Sequence, residues 1–483
     1  MTVTDELALT TQGLEALRHA GAAKLDAQVL RAGIFQRYYD SEFDILAILD
    51  TDEREAFRKL LAVAGANWCE LVINAVAERL QVVGFAFGDA SDDAWAIWKA
   101  NGLNADAELV QTDALVTGQG FVMVQPDDDN DNPTGVDISA ESPFECSVIY
   151  QPGDRRERIA GYKRFSGLDP QAFPWPAWTM GEPAAGSTEV LITADVIATW
   201  AAGASDPIVM PNPSGVVGLI ELVPQPRTAG PNRSELTSAI RIQDRINTTL
   251  FNRMVATDYG AFRQVWAAGV KMARQVYQVT DDQGQVVSTE SMVKPFDVGA
   301  NRLLVSENPN ARFGSFPGDP LAGYLASVEQ DVDQLAAITQ TPTYYFRPIQ
   351  NLAADAIKAA EAGLVAKVAR RATHLGEGWE EVMRTALVMT GRARVNLAEG
   401  AVIWKDFETR SLAQLTDSLV KMRTLGVPIE ALWALYGATP AQIEEWRAMR
   451  TAEESGPQLA PQPLPAPASG KSKAGAPTLP VTE

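Results

Sequence analysis

Residues 319–390 read DPLAGYLASVEQDVDQLAAITQTPTYYFRPIQNLAADAIKAAEAGLVAKVARRATHLGEGWEEVMRTALVMT. Two helices with a proline-bounded loop between them are legible here. In the first, from Asp319 and Pro320 to about Gln340, the residues Leu321, Leu325, Val328, Val332 and Leu335 alternate spacings of four and three, which makes one stripe along a helix. Asp319 suits an N-cap, and Pro320 suits the first helical position, where its missing N–H costs nothing. The prolines of Thr341-Pro342-Thr343-Tyr344-Tyr345-Phe346-Arg347-Pro348-Ile349-Gln350-Asn351 forbid a continuous helix. A second helix follows from about Ala353 to Thr390, with Ile357, Leu364, Val368, Leu375, Trp379 and Val382 as its apolar set. At about 1.5 Å per residue it extends roughly 57 Å, long for a globular helix. Gly376 and Gly378 predict a bend near its middle.

The 483 residues supply enough chain for a large core divided among several substructures. At 46% hydrophobic and 21% charged, most of the chain is expected to fold. No run of eighteen apolar residues occurs, so no membrane span is predicted. The opening MTVTDELALTTQG is acidic and polar, unlike a signal peptide. Cys69 and Cys146 are too few for a disulfide framework and fit a reducing cytoplasm. His19 and His374 are far apart in sequence, so a His/Cys metal site is not expected. A net charge of −20 argues against a tight grip on nucleic acid, which draws on Lys and Arg. The same charge suits a surface that DNA slides past, because an acidic wall gives a phosphate backbone nowhere to stick.

Before the central stretch, residues 5–37 read as one or two helices ending in Tyr38-Tyr39-Asp40. Further helices are predicted at about Thr51–Ala64, Asn67–Leu80, Ala94–Lys99 and Ala107–Thr117, with a stop at Asn101-Gly102. Strands are expected at Val82–Phe87 and Phe121–Val124, and residues 136–200 form a loop-rich β region. Ser234 or Asn232 caps a long helix, SELTSAIRIQDRINTTLFNRMVATDYGAF, and short strands fill Arg263 to about Phe316. After Gly391 come the strands ARVNL and AVIWKDF, joined by Ala398-Glu399-Gly400, then two or three short helices. Thr439-Pro440 is an N-cap followed by a first-turn proline. From Glu453 the composition turns to Pro, Ala, Ser and Gly, and a disordered tail is expected.

Motifs for chemistry fail on inspection. Ser469-Gly470-Lys471-Ser472 imitates the end of a phosphate loop, but Pro465 stands where the first glycine is required. Gly118 and Gly120 precede a strand instead of following one, the wrong order for a dinucleotide fingerprint. The DDDNDN run at 127–132 lacks the glycine of a calcium loop and has Ile138 where a bidentate Glu belongs, so a hairpin tip is expected. Acidic pairs such as Glu380 and Glu381 read as a solvated face. Catalytic residues, metal ligands and cofactor-binding residues are accordingly none. The aromatic triplet Tyr344, Tyr345 and Phe346 stays open between two readings: packing down locally, or projecting toward a partner.

Six blocks in a given order resemble the phage portal family, the ring at the special vertex of a tailed double-stranded DNA phage capsid. They are YYD at 38–40, NWCELVINAVAERLQVVGF at 67–85, WAIWKANGLNADAELVQTDALVTGQGFVMV at 95–124, RIQDRINTTLFNRMVATDYGAFRQVW at 241–266, DVDQLAAITQTPTYYF at 331–346 and AADAIKAAEAGLVAKVARR at 353–371. The resemblance covers roughly residues 30–450 and implies an α+β, portal-type fold with long stem helices, a small β-containing clip, a mixed α/β wing and a helical crown.

It implies a wing at 1–232 and 391–406, stem helices at 233–258 and 319–340, and a clip at 259–318. A tunnel loop follows at 341–352, a long kinked helix at 353–390, a crown at 407–452 and a tail at 453–483. Candidates for facing DNA are then Thr341, Thr343, Tyr344, Tyr345, Arg347, Gln350 and Asn351. Between Asp319 and Phe346 there are four acids and no Lys or Arg, so Glu329, Asp331 and Asp333 are candidates for an acidic channel wall.

The implied function is a non-enzymatic conduit in the virion, assembled in the host cytoplasm, through which DNA is packaged and ejected. Implied partners are further copies in a ring of twelve, the terminase large subunit, the major capsid and scaffolding proteins, a head-completion or adaptor protein, and passing double-stranded DNA; no membrane and no cofactor are implied. Two rival readings are another capsid or head-completion protein, and a metal-dependent nuclease or hydrolase using carboxylates.

Overall fold

The computed structural model describes residues 10–42, 63–127, 132–166, 187–261, 265–269, 274–280, 286–292, 308–315, 321–347, 354–391, 400–408, 412–438 and 440–455. The chain divides into two compact units, one through Thr409 and one from Arg410. In the first, α1 (Thr11–Tyr39) is a single helix, opened by Thr10, whose hydroxyl accepts from Gly13 N at 3.1 Å. The helix expected at 51–64 lies almost wholly outside the described residues. Next is α2 (Trp68–Ala77), capped by Asn67, whose side-chain oxygen accepts from Cys69 N at 3.0 Å and Glu70 N at 3.2 Å. Strand β1 (Val82–Ala86) leads to α3 (Ser91–Ala100) and α4 (Leu103–Thr117). Gly102 separates these two helices at φ 67°, a left-handed conformation that favours glycine.

The β region contains β2 (Gly120–Pro126), β3 (Val136–Glu141), β4 (Cys146–Tyr150), β5 (Arg158–Ser166), β6 (Ser187–Ile192), β7 (Val196–Trp200), β8 (Ile208–Pro211) and β9 (Leu219–Leu222). Strands β4 to β8 form an antiparallel meander in chain order, and β3-β2-β9 make a second antiparallel sheet. The β2–β3 pair runs from Phe121↔Glu141 to Pro126↔Val136, and residues 128–131 of the DDDNDN run, expected as a hairpin tip, lie outside the described residues. Leu14 and Leu25 of α1 are buried against Tyr162, Leu191 and Trp200 of the meander. Glu189 fastens the same contact: it accepts from Arg18 at 2.8 and 3.0 Å and from the Tyr162 hydroxyl at 2.8 Å.

Helix α5 (Ile240–Ala261) starts later than its sequence suggests. Ser234 is indeed a cap, accepting from Leu236 N at 3.0 Å, but it opens a tighter 3-10 turn at Glu235–Ser238. Buried ion pairs hold the Glu235 side chain there. Two short antiparallel pairs follow: β10 (Val265–Ala268) with β13 (Arg312–Ser315), and β11 (Arg274–Thr280) with β12 (Val286–Met292). Residues 281–285 and 293–307, within the stretch expected to carry short strands, lie outside the described residues.

Helix α6 (Leu321–Thr339) packs along α5, the single helical turn α7 (Thr343–Phe346) comes next, and α8 (Ala354–Met389) closes this part. Helix α8 runs uninterrupted through Gly376 and Gly378. Close packing accounts for Gly378: a Cβ there would lie 2.7 Å from Leu222 Cγ on β9. Leu364, Val368, Leu375, Trp379 and Val382 are all fully buried, in one core with α2, α3, α4, β2 and the lower part of α6. Strand β14 (Ala401–Trp404) pairs antiparallel with β1, and ARVNL, the strand expected before it, lies outside the described residues.

The second unit holds α9 (Leu412–Thr424), α10 (Ile429–Tyr436) and α11 (Pro440–Ser455). Trp433 and Trp446 meet edge to face at 5.5 Å, and Arg447 bonds Glu430 at 2.9 and 3.0 Å. Helix α11 continues past Glu453, where composition places the start of the tail, and residues 456–483 lie outside the described residues.

One carboxyl in the first unit carries a pH signature. Burial, and then the charge of Asp40, push Asp113 on α4 from its ordinary 3.8 up to about 6. The folded state therefore keeps this proton to higher pH than the unfolded chain, so stability falls as pH rises between those values and stays lower above them. Asp113→Asn is expected to stabilise the protein at pH 7.5 by on the order of 2–3 kcal/mol and to change little at pH 3.5. Urea unfolding at the two pH values checks this; equal shifts at both would contradict it.

Candidate functional site

The loop after α6 is built by a helix ending with an unusual residue at its turning point. Gln340 sits at φ 55°, where glycine is the common choice. Its N–H bonds Ala337 O at 3.4 Å, and Thr341 N bonds Ala336 O at 3.0 Å, the paired bonds that close a left-handed helix end. Two side chains of α8 support this end. Arg370 donates to Gln340 Oε1 at 3.0 Å, and the Lys367 ammonium donates to Thr339 O at 2.9 Å, where the helix presents unpaired carbonyls. Pro342 then starts α7 from an extended conformation.

Among the DNA-facing candidates, Thr341 turns inward: it is 3% exposed and its hydroxyl pairs with that of Thr339 at 3.1 Å. Thr343, Tyr344, Tyr345 and Arg347 are half-buried, and Gln350 and Asn351 lie outside the described residues. The aromatic triplet packs down. Tyr345 and Phe346 lie against the main core, with Phe346 edge-on to Trp68 at 6.4 Å. Tyr344 and Tyr345 have ring centres 5.0 Å apart. The Tyr344 hydroxyl donates to the Glu361 carboxylate, and burial together with that bond raises its phenol above the ordinary range.

Arg79, just beyond α2, completes the clamp. It donates to the Tyr345 hydroxyl at 2.8 Å, to Glu361 at 3.1 Å and to Phe407 O at 2.7 Å. One guanidinium thus joins the loop, α8 and the segment after β14.

The three acidic candidates separate. Asp331 is 6% exposed and bonded to Arg245 of α5 at 2.7 Å, so it ties the two helices together and presents no charge to solvent. Asp333 is exposed and paired with Arg347 at 2.8 and 3.1 Å. Glu329 is exposed. Asp319, the fourth acid of the stretch, lies outside the described residues.

A second polar node lies beneath the loop. Glu235, Lys367 and Arg371 meet inside the protein, with Lys367 3.1 Å from Glu235 and Gln225 donating to the same carboxylate at 2.7 Å. Burial alone would raise the Glu235 carboxyl, but Lys367 and Arg371 outweigh it and hold the group below its usual range. Sequence reasoning missed Arg79, Glu361, Glu235 and Lys367. A signal existed for part of this set: Glu361, Lys367 and Arg371 recur at helical spacing with Leu364, Val368 and Leu375, placing charges on the stripe that must be buried. The site holds a short aromatic turn and the Arg347 cation in a set position.

Comparison with known proteins bears on the whole arrangement. The profile of the family described as phage portal protein, SPP1 Gp6-like, matches residues 203–456, a span that includes α5, α6, the loop and α8. The portal protein of Mycobacterium phage L5 is 28% identical over 432 residues, covering 85% of this chain and 83% of that one. The portal protein of Mycobacterium phage D29 is 27% identical over 404 residues, covering 80% and 78%.

Proposed function

This chain belongs to the SPP1 Gp6-like phage portal family, and from that premise we propose that twelve copies close into a ring at the unique vertex of a capsid. Its bore is the path of double-stranded DNA during packaging and ejection. In this reading the ring docks the terminase large subunit and later a head-completion or adaptor protein, and it is built into the shell with the major capsid and scaffolding proteins. ATP hydrolysis belongs to the motor, and this chain is structural. Residues 1–232 and 391–406 serve as wing, 233–258 and 319–340 as stem, 259–318 as clip, 341–352 as tunnel loop, 353–390 as the long helix behind it and 407–452 as crown.

The observation that carries this reading is the family match across both stem helices, the loop and the long helix. The surface of α6 supports it. Leu321, Leu325 and Ile338 are 38, 49 and 53% exposed in a single chain, and a neighbouring copy in a ring would cover such residues. Negative-stain imaging of the purified protein tests the proposal. An annulus with a central opening is expected, and particles that remain monomeric would overturn it.

Within this reading, Arg347 touches passing phosphates, alternating between them and Asp333. The Arg347 and Asp333 side chains are 41% and 47% exposed, so solvent screens their pair and it contributes only about 0–1 kcal/mol to stability. Arg347→Ala is expected to leave rings intact by imaging while reducing the DNA retained in filled heads, read as genome length and leakage. Unchanged packaging and retention, or disrupted rings, would refute this role.

A further inference from the structure

Among the described residues of the second unit, only Leu432 is buried. A helical unit this small has little core of its own, and its apolar side chains stay near water unless something covers them. One set of them lies where α10 meets α11. Trp433 and Trp446, both half-buried, join the two helices edge to face at 5.5 Å, and the Glu430–Arg447 pair fixes the helices beside them. Tyr436 lies three residues after Trp433, and Met449 three after Trp446, the spacing that puts neighbours on one helix face. Both are open to water, Tyr436 at 46% and Met449 at 54%. None of these four side chains is charged, and three are aromatic.

The sequence directly after α11 matches this face in chemistry and in reach. Gly456-Pro457 follows Ser455, the last residue of the helix, and this is the pattern that stops a helix and turns the chain. Residues 456–470, GPQLAPQPLPAPASG, hold no charged residue in a chain that is 21% charged. Pro461, Pro463, Pro465 and Pro467 disfavour a helix or an interior strand and favour the extended polyproline form, which is pre-organised and docks on aromatic surfaces. At about 3.3 Å per residue, residues 456–460 span up to about 16 Å. Trp446 lies only about 14 Å back from Ser455 along α11. The run 461–467 then extends about 22 Å in polyproline form, close to the length of α11, about 24 Å. Tethering holds the segment at an effective concentration on the order of millimolar, so a contact too weak for separate molecules still forms.

We propose that residues 456–470 lie across the α10–α11 face of their own chain, over Trp433, Tyr436, Trp446 and Met449. A partner that uses this face has first to displace the tail. The inference goes beyond ring formation, and its test is read separately from it. The probe is the full chain with Leu464→Cys carrying acrylodan, a dye whose emission follows the polarity around it. Cys69 and Cys146 are both 0% exposed and stay unlabelled. Relative to the same dye at Ala476→Cys, emission is expected about 15 nm to the blue, because apolar contact replaces water around the dye. Tyr436→Ser together with Met449→Ser, both at exposed positions, is expected to remove about half of the shift or more. If that variant does not fold by circular dichroism, the combined change Pro461→Gly, Pro463→Gly, Pro465→Gly, confined to the tail, is expected to remove a similar share, because the segment loses its extended pre-organisation. Equal emission from the two dye positions would overturn the proposal. So would a shift that neither set of substitutions changes, or one that fades on dilution, which would put the tail on another copy.

Discussion

Glu235→Ala is expected to destabilise the protein by about 3–5 kcal/mol, the usual cost of leaving buried charges without their counter-ion. Lys367 is 2% exposed and Glu235 8%, so water cannot replace the missing carboxylate. The loss spreads beyond one pair. Lys367 also holds Thr339 O at the end of α6, Arg371 shares the same carboxylate, and Glu235 itself lies in the turn that precedes α5. This node therefore links the start of one long helix, the end of the next and the middle of a third.

Lys367→Met is expected to cost less than Glu235→Ala, because it removes a buried charge while Arg371 still pairs with Glu235. The carboxyl is held below its ordinary value, so its stabilisation is fully present above about pH 4.5 and is lost as pH falls through the folded-state value. Denaturant midpoints for both variants at pH 7 check the ranking, and the gap between Glu235→Ala and the natural sequence is expected to narrow in acid. A loss under about 1 kcal/mol at neutral pH would show that the node contributes little.

Trp379→Ala has an expected cost of similar size, about 3–5 kcal/mol, from a different cause. The ring is fully buried and meets Trp98 edge to face at 5.0 Å, within the cluster that joins α8 to α3 and α4. With the Gln111 amide turned so that its oxygen faces the indole, Trp379 Nε1 donates to it at 3.2 Å, and the Gln111 nitrogen donates to Leu80 O at 2.7 Å. Alanine would open a cavity and also strand a buried amide oxygen. Trp379→Phe keeps most of the volume and loses only the N–H, so its cost is expected to be about half. Soluble yield and urea midpoints distinguish the two, and equal costs would mean that the hydrogen bond, not the packing, dominates.

These two residues differ in how far the sequence announces them. Trp379 follows Leu375 by four residues and Val368 by eleven, so helical spacing alone puts it in the core. The same spacing places Lys367 and Arg371 on the buried stripe without showing where their counter-charge comes from, because Glu235 lies far back in the chain. The upper part of α6 shows the opposite limit. Leu321 and Leu325 belong to a regular apolar stripe yet remain exposed in one chain, since periodicity states that a face wants cover but not what covers it.

The sequence by itself determined the long helices, the proline-bounded break between them, the α+β class and the portal family. Helical period, caps and proline sterics act within a few residues, so they can be read without knowing the rest of the molecule. Tertiary structure alone decided that β14 pairs with β1, that Arg79 clamps Tyr345 and Glu361, and that Asp331 is spent on Arg245. Each of those outcomes depends on which distant surfaces meet once apolar burial has collapsed the chain. A hydrogen bond or ion pair then forms wherever a buried polar atom finds its partner, and no local spacing encodes that meeting.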